Sequence, residues 1–335
     1  MAKGKDLHTD LGLKEEDLLE MYRYMLMARF CDERQWGLNR QGKAPFVVPV
    51  SGHEAAQVGS GWAFERGKDV FCPYYRDMAL VLVAGFTPKD VFLGLFGKKD
   101  DPSSGGRQMP AHWGSRERNI ITGSSPIATQ CLHAAGIAYS KKIKKEDAVV
   151  GTWCGEGGTS EGDWHGAMNF AGVHKLPLVL VVENNQYAIS VHESKQLGGR
   201  VYKRAEGYGF PGFEVDGNDL LECYKLSKEA VDRARAGEGP TLIEMRTYRH
   251  YSHTSDDDDR TYRKKEEVEE WKRKDPIPRF ETYLKSVDMI DDGKIAELRE
   301  RTKAEVAEGA KEAEQSDFPD PLSAGTNVYA DLEVV

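Results

Sequence analysis

The chain has 335 residues, 39% of them hydrophobic, and carries 46 lysines and arginines against 55 aspartates and glutamates, a formal net charge of -9. That length supports one large α/β core with an appendage, or two ordinary domains, and the acidic balance without a basic block excludes tracking of a nucleic-acid backbone. The longest apolar runs, such as LPLVLVV, are far shorter than the roughly 18 to 20 residues of a membrane span, and the cysteines at 31, 72, 131, 154 and 223 form no CxxC pair, so no membrane segment, zinc knuckle or disulfide framework is expected.

The opening MAKGKDLHTDLGLK lacks an apolar signal core. The expected location is the cytoplasm, or the mitochondrial matrix should the source be a eukaryote, although no transit peptide is evident. A long helix is predicted over Glu15 to Arg40, where Leu18, Leu19, Tyr22, Met25, Leu26 and Phe30 recur on one face. SGHE at 51–54 predicts a second helix, with Ser51 and Glu54 as a capping box. TPKD at 87–90 predicts a third, with Thr87 as cap, Pro88 in the first turn and Asp90 reaching back. The run CLHAAGIAYSKKI after SSPIATQ is small and apolar enough to pack on a sheet.

Residues 148–153 (AVVGTW) read as a buried strand, SEGDWHGAMNFAGVHK as a helix with Ser160 and Asp163 as its capping box, and LPLVLVV (176–182) as another buried strand. The three form a βαβ unit and therefore imply parallel strands. A further helix is expected from about Asp219 to Ala236, stopped by Gly237, and then a strand in PTLIEMRTYR. YSHTSDDDDR, from Tyr251 to Arg260, has no hydrophobic period and reads as a mobile loop. Beyond Arg263 the text is charged and helix-prone, broken by Pro276 and Pro278. The expected fold class is α/β, a parallel sheet flanked by helices, with an N-terminal helical arm at 1–50, the α/β domain at 51–263 and a C-terminal helical appendage at 264–335.

The chemistry concentrates after the two strands of the βαβ unit, in GEGGTSEGD (155–163) and ENNQY (183–187). Ligands of parallel sheets sit beyond the carboxyl ends of the strands, so Glu156 and Asn185 converge on one point. A carboxylate, an amide oxygen and a main-chain carbonyl suit magnesium and leave positions for water and two phosphate oxygens. Gly155, Gly157 and Gly158 let the backbone approach those phosphates, and the following helix adds donors and a favourable dipole. Each fragment alone is also what an ordinary strand-to-helix turn or an asparagine turn looks like. A nicotinamide-type GxGxxG would need glycine where Ser160 stands, and the phosphate loop GxxxxGK[ST] is absent.

A GDG-like triplet followed about one βαβ unit later by NN resembles the thiamine diphosphate fingerprint. More closely, GEGGTSEGDWHGAMNFAGVHKLPLVLVVENNQYAIS resembles the alpha subunit of 2-oxo acid dehydrogenases, the decarboxylating component of the pyruvate and branched-chain complexes. YYRD (74–77), GGRQMPAHWGSRERNIITGSSPIATQ (105–130) and TYRHYSHTSDDDDRTYR (247–263) extend the likeness in order through most of the chain. The resemblance implies the diphosphate-binding half of the thiamine diphosphate fold. It makes Glu156, Asn185 and the main-chain oxygen of Tyr187 the ligands of Mg2+, and puts Tyr75 and Arg76 on the diphosphate. Ser125 and Ile127 would hold the aminopyrimidine end, largely through backbone groups, with Gly155, Gly157, Gly158, Ala188 and Ile189 completing the cofactor site. Ser124, Pro126, Thr129 and Gln130 match a monovalent-cation (K+) site of some members.

The same resemblance makes His253 catalytic, as proton donor or hydrogen-bonding group, on a loop that orders with the cofactor. The four aspartates at 256–259 would repel a diphosphate if they faced it, so they are expected to point away or to pair with Arg249, Arg260 and Arg263. Thr254 stands where animal relatives carry a phosphorylated serine, and a phosphate there would oppose loop closure. Glu183 stands where animal branched-chain relatives have an arginine and pyruvate-type relatives a glutamate. The glutamate that activates the aminopyrimidine belongs, in this family, to a separate beta subunit, which implies an α2β2 assembly on a lipoyl acyltransferase core. The expected activity is oxidative decarboxylation of a 2-oxo acid, leaning toward branched-chain substrates. Pyruvate or acetoin dehydrogenase alpha subunits are the nearest alternatives, and a non-catalytic assembly protein a more distant one.

Overall fold

Residues 7–326 are described by the computed structural model of the protein. Its strands, in chain order, are β1 (Val70–Cys72), β2 (Val150–Gly155), β3 (Leu178–Asn184), β4 (Tyr187–Ala188), β5 (Val191–His192), β6 (Gly212–Asp216) and β7 (Thr241–Arg246). Five of them form one all-parallel sheet in the order β1-β2-β3-β7-β6, while β4 and β5 make a small antiparallel hairpin. The expected βαβ unit is present: β2 and β3 pair in register from Val150 with Leu178 to Gly155 with Glu183. The edge strand β6 went unread because GFEVD offers only two apolar positions, Phe213 and Val215, both on one face.

The helices are α1 (Leu7–Asp10), α2 (Glu15–Arg40), α3 (Glu54–Trp62), α4 (Met78–Val83), α5 (Pro88–Phe96), α6 (Thr129–Lys144), α7 (Gly162–His174), α8 (Arg204–Gly207), α9 (Leu220–Arg235), α10 (Lys265–Lys272), α11 (Pro276–Ser286) and α12 (Asp292–Gln315). Strand alternation sorts them onto two faces. Leu178, Leu180 and Val182 join a core shared with α6 and α7, whereas Val179 and Val181 join the larger core shared with α2 to α5, α9, α11 and α12. Both faces of β3 are therefore dry, which is why it reads as a continuous apolar run. Helix α2 buries Leu18, Tyr22, Met25 and Leu26, and packing runs unbroken from it into the C-terminal helices. Arg29 on α2 bridges Glu54 on α3 (2.6 Å) and Asp275, the cap of α11 (2.9 Å). No helix among the described residues is long and apolar enough to cross a membrane.

Helix starts follow the sequence unevenly. Thr87 and Asp90 form the expected reciprocal box, and Asp219 caps α9. Pro276 opens α11 in its first turn, directly after the break that ends α10. Ser51, however, does not cap α3: its amide and hydroxyl both donate to the buried Asp32 (3.0 and 2.5 Å), and the helix starts after His53. Glu54 does reach back, but to Gly52 N–H (2.8 Å). The Ser160 and Asp163 box is also not formed. Residues 156–160 make a 3-10 turn instead, α7 begins at Gly162, Ser160 Oγ accepts from Gln196 and Asp163 accepts from Thr129. The tight turn consumes the residues a capping box would use.

Helices α3 and α9 approach through Gly59, where an added Cβ would lie 2.7 Å from the Leu220 carbonyl oxygen and 2.9 Å from Cys223 Cβ. Backbone cannot yield cheaply, so Gly59→Ala is expected to lower stability by about 1–3 kcal/mol. Gly136 lies in α6 with nothing within 4 Å of the same position. Gly136→Ala is expected to raise stability by about 0.5–1 kcal/mol through helix propensity. Urea unfolding midpoints of the two variants check the pair, and a neutral Gly59→Ala would contradict the packing described.

Candidate active site

Beyond the carboxyl ends of the strands lies a cavity of about 420 Å³. Five stretches wall it: Tyr74, Tyr75 and Arg76 after β1; Ser124, Ser125, Ile127 and Ala128 before α6; Cys154 to Gly158 after β2; Asn185, Tyr187, Ala188 and Ile189 after β3; and His253 after β7. The thirteen residues expected to bind cofactor or metal all line this one cavity. Of the expected monovalent-cation set, Ser124 and Gln130 line it as well, whereas Pro126 and Thr129 are not part of its wall.

Glu156 is fully buried at the floor. One oxygen accepts from Asn185 N–H at 3.2 Å, while the other has no hydrogen-bond partner among the described residues. Burial pushes this carboxyl up to about 7, against the pull of its own and Asn185's backbone N–H groups and the charge of Arg249. The two asparagines divide their work. Asn184 is committed to structure, donating to Glu244 (2.6 Å) and Glu193 (2.9 Å), and only Asn185 reaches the cavity. The hairpin that follows is drawn tight by left-handed backbone at Gln186 (φ 72°) and Ile189 (φ 54°), an uncommon conformation for residues other than glycine. Gly157 makes room for it, since a Cβ there would lie 2.8 Å from that of Ala188. No group of three or more His, Cys, Asp or Glu side chains able to hold a metal occurs among the described residues. A cation here would be held by one carboxylate with neutral oxygens.

Positive charge surrounds this floor. Arg76 is buried, donating to the Pro49 carbonyl (2.6 Å) and, through Nη2, to Nδ1 (3.1 Å) and the carbonyl (3.2 Å) of His253. Arg249 departs from expectation. It pairs with none of the aspartates: Nη2 donates to the Ile189 carbonyl at 2.8 Å, and Nε and Nη1 have no partner among the described residues. Burial and the neighbouring Arg76 push its proton affinity down, and Glu156 opposes them. Sequence reading placed Arg249 with the acidic loop because the two are neighbours in the chain, and no local signal marks its contact with the backbone of the cavity residue Ile189. The other two expected pairs form, Arg260 with Asp258 (2.7 Å) and Arg263 with Asp259 (2.6 Å). Asp257 accepts from His253 N–H (2.7 Å) and from the Tyr262 hydroxyl. The segment 251–260, read as a mobile loop, thus has a defined set of contacts around His253.

Glu183 faces away from the cavity. Its Oε2 meets His53 Nδ1 (2.5 Å), Gln57 Nε2 (3.0 Å) and the Tyr74 hydroxyl (3.2 Å). Burial would raise this carboxyl, but His53, Asp77 and Gln57 outweigh it and hold it below its usual range, while burial and the charge of Glu183 push Asp77 well up. Gln57 also donates to the Arg76 carbonyl (3.0 Å) and accepts from Ala79 N–H (3.0 Å), so it fixes the turn that carries Tyr75 and Arg76. Nothing in the sequence around Gln57 signals that duty.

His253 stands edge-on to Tyr75 at 5.9 Å between ring centres. Burial, followed by the charges of Arg76 and Arg249, pushes its imidazole down to about 2. The family resemblance implied a proton donor or hydrogen-bonding group at this position. Here the ring is neutral, Nδ1 accepts from Arg76, and Nε2 carries the proton as a hydrogen-bond donor. Because the folded value lies below the ordinary one, the ring is expected to stay neutral from pH 8 down to pH 5. His253 imidazole NMR resonances should therefore not move over that range, and a titration midpoint near 6.5 would contradict this environment.

The model of the dehydrogenase E1 component family matches residues 22–322. A 2-oxoisovalerate dehydrogenase subunit alpha of Bacillus subtilis is 49% identical over 324 residues, covering 96% of this chain and 98% of that protein. A pyruvate dehydrogenase E1 component subunit alpha of Staphylococcus aureus is 38% identical over 333 residues, covering 98% and 87%, and one of Staphylococcus epidermidis is 39% identical over the same span. With a family match over most of its length and relatives of this identity over nearly all of it, the chain belongs to the dehydrogenase E1 component family.

Proposed function

We propose that this chain is the alpha subunit of a 2-oxo acid dehydrogenase that decarboxylates a 2-oxo acid with thiamine diphosphate and Mg2+ and passes the acyl group to a lipoyl arm. One observation carries the reading: a buried carboxylate with a free oxygen lines one cavity with the buried Arg76, and the buried Arg249, bonded to the carbonyl of the cavity residue Ile189, leaves two donors unpaired. Such a floor is unfavourable by itself and is neutralised by a cation bound to an anion with several oxygens. Glu156, the Asn185 amide and the Tyr187 main-chain oxygen would hold Mg2+. Arg76 and Arg249 would take diphosphate oxygens, with the Gly157 and Gly158 backbone alongside.

The chemistry that thiamine diphosphate supplies when bound is a nucleophilic ring carbon and an acceptor for the electron pair left by carbon dioxide. The residues of this chain bind and orient. His253, neutral and held by Arg76, donates a hydrogen bond from Nε2 to the oxygen of the reacting carbonyl group. Tyr75 and Ile127 exclude water from that end. The monovalent-cation role of Ser124, Pro126, Thr129 and Gln130 belongs to the same proposal.

Half of the active site belongs to a beta subunit, so the working form is an α2β2 assembly docked on a lipoyl acyltransferase core, located in the cytoplasm. The substrate reading leans to branched-chain 2-oxo acids because of the higher identity to the 2-oxoisovalerate enzyme. Pyruvate is the second reading, favoured by Glu183, the residue of pyruvate-type relatives.

Calorimetric titration of the assembled α2β2 protein with thiamine diphosphate and Mg2+ tests the site. Glu156→Ala and Asn185→Ala are each expected to weaken binding by more than about 100-fold, and unchanged affinity in both overturns the assignment. Assays of the assembly with pyruvate, 3-methyl-2-oxobutanoate and acetoin are expected to favour the branched substrate. The chain without its partner should decarboxylate little or nothing, and vigorous activity alone would refute the shared site.

A further inference from the structure

The turn before Trp113 presents a polar contact to the cavity wall that the site described above does not use. His112 Nδ1 lies 3.1 Å from the Met109 carbonyl oxygen and 3.2 Å from that of Pro110, and its Nε2 lies 2.7 Å from Ser125 Oγ. Carbonyl oxygens only accept. In the neutral ring the proton therefore sits on Nδ1, and Nε2 is left as an acceptor. The Ser125 hydroxyl must then donate to His112, which leaves its oxygen with lone pairs alone to offer, and Ser125 lines the cavity. A free serine hydroxyl rotates and serves as donor or acceptor alike; the histidine removes that freedom.

The turn that presents His112 is itself tied to the site. Trp113, one residue on, is buried and donates from its indole N–H to the Tyr75 carbonyl at 3.2 Å. Ala111, one residue before, has left-handed backbone (φ 64°). One short segment thus braces two walls of the cavity, through Tyr75 on one side and Ser125 on the other.

We propose that His112 is a positioning residue that, through Ser125, sets a hydrogen-bond acceptor in the cavity wall for an N–H-bearing heterocycle. On the thiamine diphosphate reading, on which this inference rests, that group is the amine of the aminopyrimidine. His112 itself touches no reacting atom; it fixes the direction of one hydroxyl proton.

Equilibrium binding to the assembled α2β2 protein with Mg2+ separates this role from a structural one. The probes are thiamine diphosphate and the analogue in which an oxo group replaces the 4′-amine. The unsubstituted assembly is expected to prefer the amine by about tenfold, the worth of one neutral hydrogen bond. His112→Ala should reduce that preference to within about twofold while leaving affinity for the oxo analogue nearly unchanged, which also certifies that the variant is folded, and Ser125→Ala should reduce the preference likewise. His112→Gln, whose side-chain amide places an acceptor near the position of Nε2, should restore most of it. An unaltered preference in both alanine variants overturns the proposal, and so does an equal loss for both compounds, which would mark His112 as structural. If the unsubstituted assembly binds thiamine diphosphate at neither high nor low affinity, the cofactor reading fails and this inference with it.

Discussion

One guanidinium group and one carboxyl, both out of water and incompletely partnered, set the terms for the rest of this structure. Arg249 leaves two nitrogens without acceptors, and Glu156 leaves one oxygen without a donor or cation. An unsatisfied buried polar group costs about 1–3 kcal/mol, and more when charged. A fold tolerates such a floor only where the surrounding packing is strong enough to impose it. The response of each group is the expected one: burial drives the carboxyl of Glu156 up and holds the guanidinium of Arg249 down. Both shifts are relieved together by a cation and a polyanion, so the electrostatics of the floor and the chemistry of the family agree.

What imposes the floor is a layer of polar contacts beneath it. Asn184 pulls together Glu193 and Glu244, Arg246 closes on Glu193 at 2.6 Å, and the hairpin that carries Tyr187 is held in place by them. Farther out, Glu267 of α10 accepts from the hydroxyls of Tyr187 (3.0 Å) and Tyr248 (2.9 Å), and Trp271 stacks on Tyr248. The C-terminal helices therefore bear on the hairpin that carries Tyr187 from behind. On the other wall, Gln57 ties the Arg76 turn to the Glu183 cluster. These contacts let uncommon backbone at Ala128, Gln186 and Ile189 persist around a single cavity.

The acidic segment after Tyr251 illustrates how charge can be handled beside a cavity with buried arginines. Asp258 and Asp259 are spent on Arg260 and Arg263, and Asp257 on the amide of His253 and the hydroxyl of Tyr262. Arg263 in turn donates to the carbonyls of Arg249 and Tyr251. The aspartates thus shape the backbone that presents His253 and Arg249.

Amino-acid order alone determined the βαβ unit, the long helix at 15–40 and the two oxygen-bearing side chains at 156 and 185, because each is written in a local period or a local turn. The family likeness gathered the remaining cavity residues, and the fold brings all of them to one place. What only the tertiary structure decided is which partner each polar group takes. Ser51 went to Asp32 in place of a helix end, Arg249 to the Ile189 carbonyl in place of its acidic neighbours, Glu183 to His53, and His253 to a buried neutral state. The physical reason is common to all four. A hydrogen bond or a proton affinity depends on burial and on groups scores of residues away, and short-range pattern carries no record of either.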